Sequence, residues 1–424
     1  MQITDLKSTI IDVPCKRIST SGRCLSALGC SLFDNVPTVL VEIVTDEGIT
    51  GHGEAPAVVG GRSAIGARVS KTIIDAAKPL ILKEDPFDVD RIKEKLYAHF
   101  GLIHFNRHLA NYALNSIEMA FWDIVGKACE KPLYKMWGGA CRKQIPYYGE
   151  VARDKPRAMA KRAEELIRQG FTTLSTKVGI DLLLDIKSVK LLRKTAVESG
   201  YEDINIRVDA NQAWSPGTAI RMIRKLERYD LEFVEQPVSM HNLKAMRRVK
   251  RAVNVPICSH ESSWTIEGVL NVIREEAADI IQLDPRFDSG LTGTIKAAGM
   301  AEAAGLPVVM HSFVELGVAT CAFMHVIASC PNFLFANQTL YNYLNGDIIK
   351  GGLMTFQDGC LKLPEQPGIG VELDQRKVKG YARRYERDIK DMELSKRIKA
   401  PTVYLGRKPK KEEDVDWIPK LPAY

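Results

Sequence analysis

The chain predicts an α/β protein in which a (β/α) barrel follows a smaller α+β region, and three observations carry that prediction. Five short apolar runs, INIRVD, LEFVE, VPICSHE, DIIQLD and PVVMH, each close on an acid or an imidazole: Asp209, Glu235, Glu261, Asp284 and His311. The steps between these residues are 26, 26, 23 and 27. Such a step holds one strand, one helix and two short loops, so the five fall at the C-terminal ends of successive parallel strands. The residues before about 140 lack this alternation and show turn-linked strands and long amphipathic patterns instead.

In chain order, residues 1–13, the run TVLVEIVTD at 38–46 and the Gly-rich EGITGHGEA predict a three-stranded antiparallel sheet. Helical patterns follow at about 64–81, 88–98 and 107–128. In the last, Leu109, Ala113, Ile117, Ala120, Phe121, Ile124 and Val125 recur at three- and four-residue spacing, which buries one stripe. A linker crosses near 140–145, and from 146 strand–helix alternation runs to about 336. Ser215 and Pro216 mark one helix start as N-cap and first helical residue. ELGVATCAFMHVIASC is the helix after the seventh strand, and NFLFA, ending at Ala336, is expected as the eighth. The expected organisation is therefore 1–140, a barrel over 141–336, a return over 337–375 onto the first region, and an extension over 376–424.

Composition sets outer limits. At 424 residues, two domains are the natural expectation. No apolar stretch approaches the length of a membrane span, and the start MQITDLKSTIIDVP lacks a secretory pattern. Nine cysteines without a CxxC or Cys/His cluster suggest neither a disulfide framework nor a zinc site, so a reducing cytoplasm is expected. The net charge of +7 equals the excess of fifteen bases over eight acids in residues 376–424. That segment reads as a solvated extension, and without aromatic interleaving it gives no expectation of nucleic-acid or membrane binding.

Four carboxylates and an imidazole on one rim are costly unless a cation is among them. Asp209, Glu235 and Glu261, on three adjacent strand ends, suit three oxygen ligands for one Mg2+. Asp284 and His311, on consecutive strands, suit an aspartate–imidazole pair in which the acid fixes the tautomer of a general acid/base. Lys177, ending TTLSTK on the second strand, lies across the barrel, where desolvation beside a metal would lower its pKa toward that of a base. His260 is expected to point away by strand alternation, and His325, in mid-helix, to serve packing.

The series Lys177, Asp209-x-Asn211, Glu235-x-Pro237, Glu261, Asp284 and His311 resembles the enolase superfamily, in its mandelate racemase-like branch, over essentially residues 1–375. The segment NSIEMAFWDIVGKACEKPLYKMWGG looks like that family's junction between its two domains. The resemblance implies an N-terminal α+β capping domain over a modified (β/α)7β TIM barrel. It also implies an essential Mg2+ bound by Asp209, Glu235 and Glu261, and a first step that removes the proton α to a carboxylate to give a metal-stabilised enediolate. Homo-oligomers, dimers or octamers, are usual in the family. The lysine that its lactonising and amino-acid racemising relatives carry on the sixth strand is replaced here by Asp284-Pro285-Arg286. Two further departures concern substrate contacts: Ser175 stands where a first lysine of Lys-x-Lys is frequent, and Asn337 where mandelate racemase has a glutamate.

The resemblance implies, as the commonest outcome in this branch, a sugar-acid dehydratase giving a 2-keto-3-deoxy acid, with a racemase, epimerase or cycloisomerase using the same residues as the alternative. Rival classes are weaker. A glycosidase needs neither the third acid nor the opposed Lys and His, and a binding protein needs no metal triad. Specificity is expected from segments near 15–35 and 55–65, where Arg17, Arg23, Phe33 and Arg62 lie.

Overall fold

The structure is a computed structural model that describes residues 1–16, 35–56, 65–99 and 107–389. Arg17, Arg23, Phe33 and Arg62 lie outside the described residues, as does the chain beyond 389.

Strands β1 (Ile3–Pro14), β2 (Asn35–Thr45) and β3 (Thr50–Pro56) form the expected antiparallel sheet in that order. Alternation along β2 divides its side chains between two cores. Val39, Val41 and Ile43 pack with helices α1 (Ile65–Ile81), α2 (Val89–His99) and α3 (Arg107–Ala128), whereas Leu40 joins Ile11 and Val13 in the main core. Helix α3 lies so close on β3 that only glycine fits beneath it. A Cβ on Gly51 would stand 2.1 Å from the Ala120 carbonyl oxygen, and one on Gly53 1.8 Å from that of Ser116.

After the short helix α4 (Leu133–Met136) and the strand β4 (Gln144–Pro146), seven strands form one parallel sheet in sequence order. They are β5 (Gly149–Glu150), β6 (Thr173–Lys177), β7 (Asn205–Asp209), β8 (Leu231–Glu235), β9 (Ile257–Ser259), β10 (Ile280–Leu283) and β11 (Val308–Met310). Between them run α5 (Pro156–Arg168), α6 (Leu182–Glu198), α7 (Pro216–Leu226), α8 (Leu243–Lys250), α9 (Ile266–Arg274) and α10 (Gly290–Ala303), with α11 (Gly317–Ser329) after β11. Caps set several starts: Ser215 accepts from Thr218 N at 3.3 Å, and Asp181, Asn242 and Thr265 act likewise on α6, α8 and α9.

The eighth strand expected over NFLFA is not a regular strand. Two isolated parallel bridges, Val308 to Phe333 and Tyr147 to Asn337, join that segment to the two edges of the sheet. Side chains replace part of the missing ladder: Asn337 Oδ1 accepts from Met310 N at 2.9 Å, and its Nδ2 donates to the Pro146 carbonyl at 3.3 Å. On the concave side below the rim, Phe233, Cys258, Ile280 and Val309 form a small separate core with Phe335.

Two acids of the N-terminal region hold it to the sheet helices. Glu54 of β3 accepts from Leu316 N at 2.7 Å and Ala319 N at 3.0 Å, capping α11. Glu118 of α3 accepts from Leu291 N at 2.5 Å and Thr292 N at 3.1 Å, capping α10. Further on, β12 (Cys360–Lys362) pairs with β4, and helix α12 (Gln375–Arg384) lies on the first sheet. There Val378 is buried and Arg384 Nε reaches the buried Asp12 at 2.7 Å. The start of the basic extension is thus a docked helix, not a wholly solvated one. Among the described residues seven cysteines are free, and no helix is long and apolar enough to cross a membrane.

Candidate active site

Register brings the rim residues together. Lys177, Asp209 and Glu235 are direct partners across β6, β7 and β8, each the last residue of its strand. Lys177 Nζ donates to Asp209 Oδ2. Glu261 opens a turn just past β9, and Asn211 Nδ2 donates to its Oε1 at 3.3 Å while Asn211 N donates to Asp209 Oδ1 at 2.7 Å. Asp284 and His311 follow β10 and β11 directly, with His311 Nδ1 2.7 Å from Asp284 Oδ2.

The electrostatics are those of a crowded acid cluster. Burial, then the charge of Glu235, pushes Asp209 up to about 6, and burial likewise raises Glu235 and Glu261. Glu150, at the end of β5, is pushed up to about 7, mainly by burial. Two carboxylate oxygens, Glu235 Oε1 and Glu261 Oε2, are buried and accept no hydrogen bond. Orphaned, mutually repelling oxygens on three adjacent strand ends fit a hard dication. In this arrangement, however, the His, Asp and Glu group whose ligand atoms all lie within 4.8 Å among the described residues is His260, Asp284 and His311, not the three acids. Lys177 and His260 stand among the acid oxygens instead.

Two expectations, for His260 and Asn337, are corrected here. His260 does not point away: alternation ends with β9 at Ser259, and the backbone at His260 turns (φ −130°, ψ −80°). Its Nδ1 lies 3.1 Å from Glu235 Oε1 and 3.5 Å from Glu261 Oε2, and its ring is 4.0 Å from that of His311. Lys177 stands among carboxylates. Burial pushes it down, but Asp209, Glu235 and Glu150 together outweigh burial and hold it above its ordinary value. Asn337 has its amide engaged with the backbone of β11 and Pro146, a place in the wall that does not suit a substrate contact. Ser175 is buried one alternation below Lys177, beside Glu150 and Arg207 in the register. His325 does serve packing, with Nε2 3.0 Å from the Ile369 carbonyl.

Other residues complete the site. Arg207 lies under Asp209 with its guanidinium 4.3 Å from the Phe233 ring and 4.9 Å from that of Tyr148, and its charge lowers Glu235 somewhat against burial. Gln236, at a φ of 35°, accepts from His260 N at 2.9 Å and Ser262 N at 3.1 Å, which fixes the turn that aims Glu261. Arg286 is fully buried and grips Asp284 from two nitrogens, Nε to Oδ1 at 2.8 Å and Nη2 to Oδ2 at 2.5 Å. A cation inside the apolar run INIRVD, and one two residues past Asp284, were the available signals. Burial raises Asp284, but Arg286 and His311 outweigh it and hold the carboxyl well below its usual range. His311 is held neutral by burial, then by His260.

Residues 158–377 match the family described as "Enolase C-terminal domain-like", and residues 27–138 the "Mandelate racemase / muconate lactonizing enzyme, N-terminal domain". Among curated proteins, an arabinonate dehydratase of Saccharolobus solfataricus is 30% identical over 79% of this chain and 88% of its own length. An L-Ala-D/L-Glu epimerase of Bacillus subtilis is 31% identical over the same shares, 79% and 88%. Among solved structures, a dipeptide epimerase of Cytophaga hutchinsonii complexed with Mg and the dipeptide D-Ala-L-Val superposes with a TM-score of 0.80 at 24% identity, covering 90% of this chain and 98% of that one.

Proposed function

Because the chain belongs to the enolase superfamily, in its mandelate racemase and muconate lactonizing enzyme branch, and its relatives are dehydratases, epimerases and cycloisomerases, we propose that it is a sugar-acid dehydratase. The reading includes the branch's modified (β/α)7β barrel with an N-terminal capping domain, residues 1–140 and 141–336, and a homo-oligomeric assembly. The observation that carries it is the Asp284–His311 pair at the ends of β10 and β11 together with Lys177 at the end of β6, with no lysine on β10. The lactonising and amino-acid racemising relatives would place a lysine on that strand; here it runs into Asp284-Pro285-Arg286, and the imidazole comes from the end of β11.

In this reading the substrate is a small 2-hydroxy carboxylate with a hydroxyl on the β carbon. A Mg2+ held by Asp209, Glu235 and Glu261 would supply the positive charge that offsets the anion developing on the substrate carboxylate and compete with Lys177 for the Asp209 oxygen. Lys177 and His311 approach the substrate from opposite sides. With the charge of Asp209 and Glu235 offset by the dication, Lys177 would lose much of what holds it above its ordinary value and could take the α-proton while His311 assists the β-hydroxyl as it leaves. Asp284, itself clamped by Arg286, fixes the His311 ring. Buried Arg207 and Gln236 keep the acid-bearing turns in place.

The test is a library of aldonic and aldaric acids incubated with the protein and Mg2+. Formation of a 2-keto product supports dehydration. Deuterium washing into unreacted acid without keto product would replace it with the racemase or epimerase reading. The near-equal identity to a dehydratase and an epimerase is what keeps that second reading in view.

A further inference from the structure

The surroundings of His311 Nδ1 pose a conflict that the dyad alone does not resolve. Asp284 Oδ2 lies 2.7 Å from this nitrogen and Arg286 Nη2 lies 2.6 Å from it. An ionised carboxylate can only accept and a guanidinium can only donate. Nδ1 therefore cannot satisfy both. Protonated, it opposes an Nη2 hydrogen at contact distance; bare, it faces carboxylate lone pairs.

The neighbours of each contender decide the contest. Asp284 is already well supplied: Oδ1 accepts from Arg286 N at 2.9 Å and Nε at 2.8 Å, and Oδ2 from Nη2 at 2.5 Å. The carboxylate does not need the imidazole hydrogen. Arg286 is immobilised, fully buried, with Nη1 2.7 Å from Glu315 Oε1 and its face 5.6 Å from the Tyr112 ring. One Nη2 hydrogen is taken by Asp284, and the other has Nδ1 as its acceptor. The remaining group against the ring, His260, lies tilted over it, centroids 4.0 Å apart at 36°, and makes no hydrogen bond to Nδ1.

We propose that Arg286 is a positioning residue that holds His311 in the tautomer carrying its proton on Nε2, with Nδ1 accepting from the guanidinium. His311 then meets the substrate as a hydrogen-bond donor, suited to a departing hydroxyl, and not as a bare base. This rests on the proposed function only in taking His311 to face the substrate. A simple Asp–His pair gives the opposite tautomer, with the proton on Nδ1 toward the carboxylate.

The tautomer is read directly by 15N NMR of the full-length protein labelled at histidine, in the presence of Mg2+, with His311→Gln assigning the resonance. The expected wild-type spectrum has the His311 proton on Nε2. Arg286→Met moves it to Nδ1, and Arg286→Lys, which keeps a donor, retains more of the Nε2 form. A wild-type proton on Nδ1, or an Arg286→Met spectrum unchanged from wild type, overturns the proposal. If Arg286→Met does not fold, the wild-type spectrum alone decides. Since no turnover is measured, a failed substrate library would remove the dehydratase reading and leave this result standing.

Discussion

Asn337→Ala is the substitution whose cost the structure specifies most closely. Asn337 is fully buried, and its Oδ1 is the hydrogen-bond acceptor of Met310 N on the outer edge of β11. Alanine leaves that N–H with no acceptor in a site closed to water. An orphaned buried donor costs about 1–3 kcal/mol. The second bond adds little, because the Pro146 carbonyl keeps the Asn337 backbone N–H at 2.8 Å after Nδ2 is gone. The expected total is therefore about 1–3 kcal/mol, read as a lower urea midpoint at unchanged slope. Because Met310 precedes His311, a modest loss of kcat is also expected, with KM within about twofold, the pattern of an altered dyad and not of a lost substrate contact. Unchanged stability with a large rise in KM would refute the reasoning and return Asn337 to the substrate.

Three further outcomes follow from particular contacts. Burial depresses His325 from 6.5 to about 4. The unfolded chain therefore binds more protons than the folded one between those values, so stability falls as pH drops through that window, by up to about 3 kcal/mol at about 1.4 kcal/mol per pH unit. His325→Gln should flatten the urea midpoint between pH 6.5 and 4, and an unaltered pH slope would contradict this. Gly53→Ala drives a methyl to 1.8 Å from the Ser116 carbonyl, so α3 must lift. A loss of about 1–3 kcal/mol or more is expected by chemical denaturation, and wild-type stability would show that the helix–strand contact is looser than described. Added Mg2+ at about a hundred times its Kd should raise the unfolding free energy by about 2.7 kcal/mol. That gain should vanish in Glu235→Gln and Glu261→Gln. Calorimetric Mg2+ binding that persists in both variants would dissociate the acids from the ion.

Strand-end chemistry was legible because it obeys a period. Asp209, Glu235, Asp284 and His311 stand where the 26-residue step and the pleat place them, and Ser215 caps its helix as its neighbours announce. Two of the misreadings share one cause: each lies where a regular element stops. His260 sits one residue past β9, and alternation carries no information once the backbone turns. NFLFA is apolar enough for a strand, yet Asn332 and Asn337 bond the neighbouring backbone through side chains and isolated bridges. The pKa of Lys177 depends on three carboxylates at once, and a linear sequence does not weigh their distances against burial. The alternating charges of KVKGYARRYERDI hide Val378 and Tyr385, two buried anchors on an otherwise polar helix.

Glu54 and Glu118 reach from the N-terminal region to the very helices that lead away from His311 and Asp284. The two parts are therefore keyed to each other at the dyad. Chimeras that exchange N-terminal halves between relatives would misalign the imidazole whenever the incoming half lacks either acid, even with every rim residue retained. Selecting for new substrates by shuffling that half should succeed chiefly among donors that keep both keys.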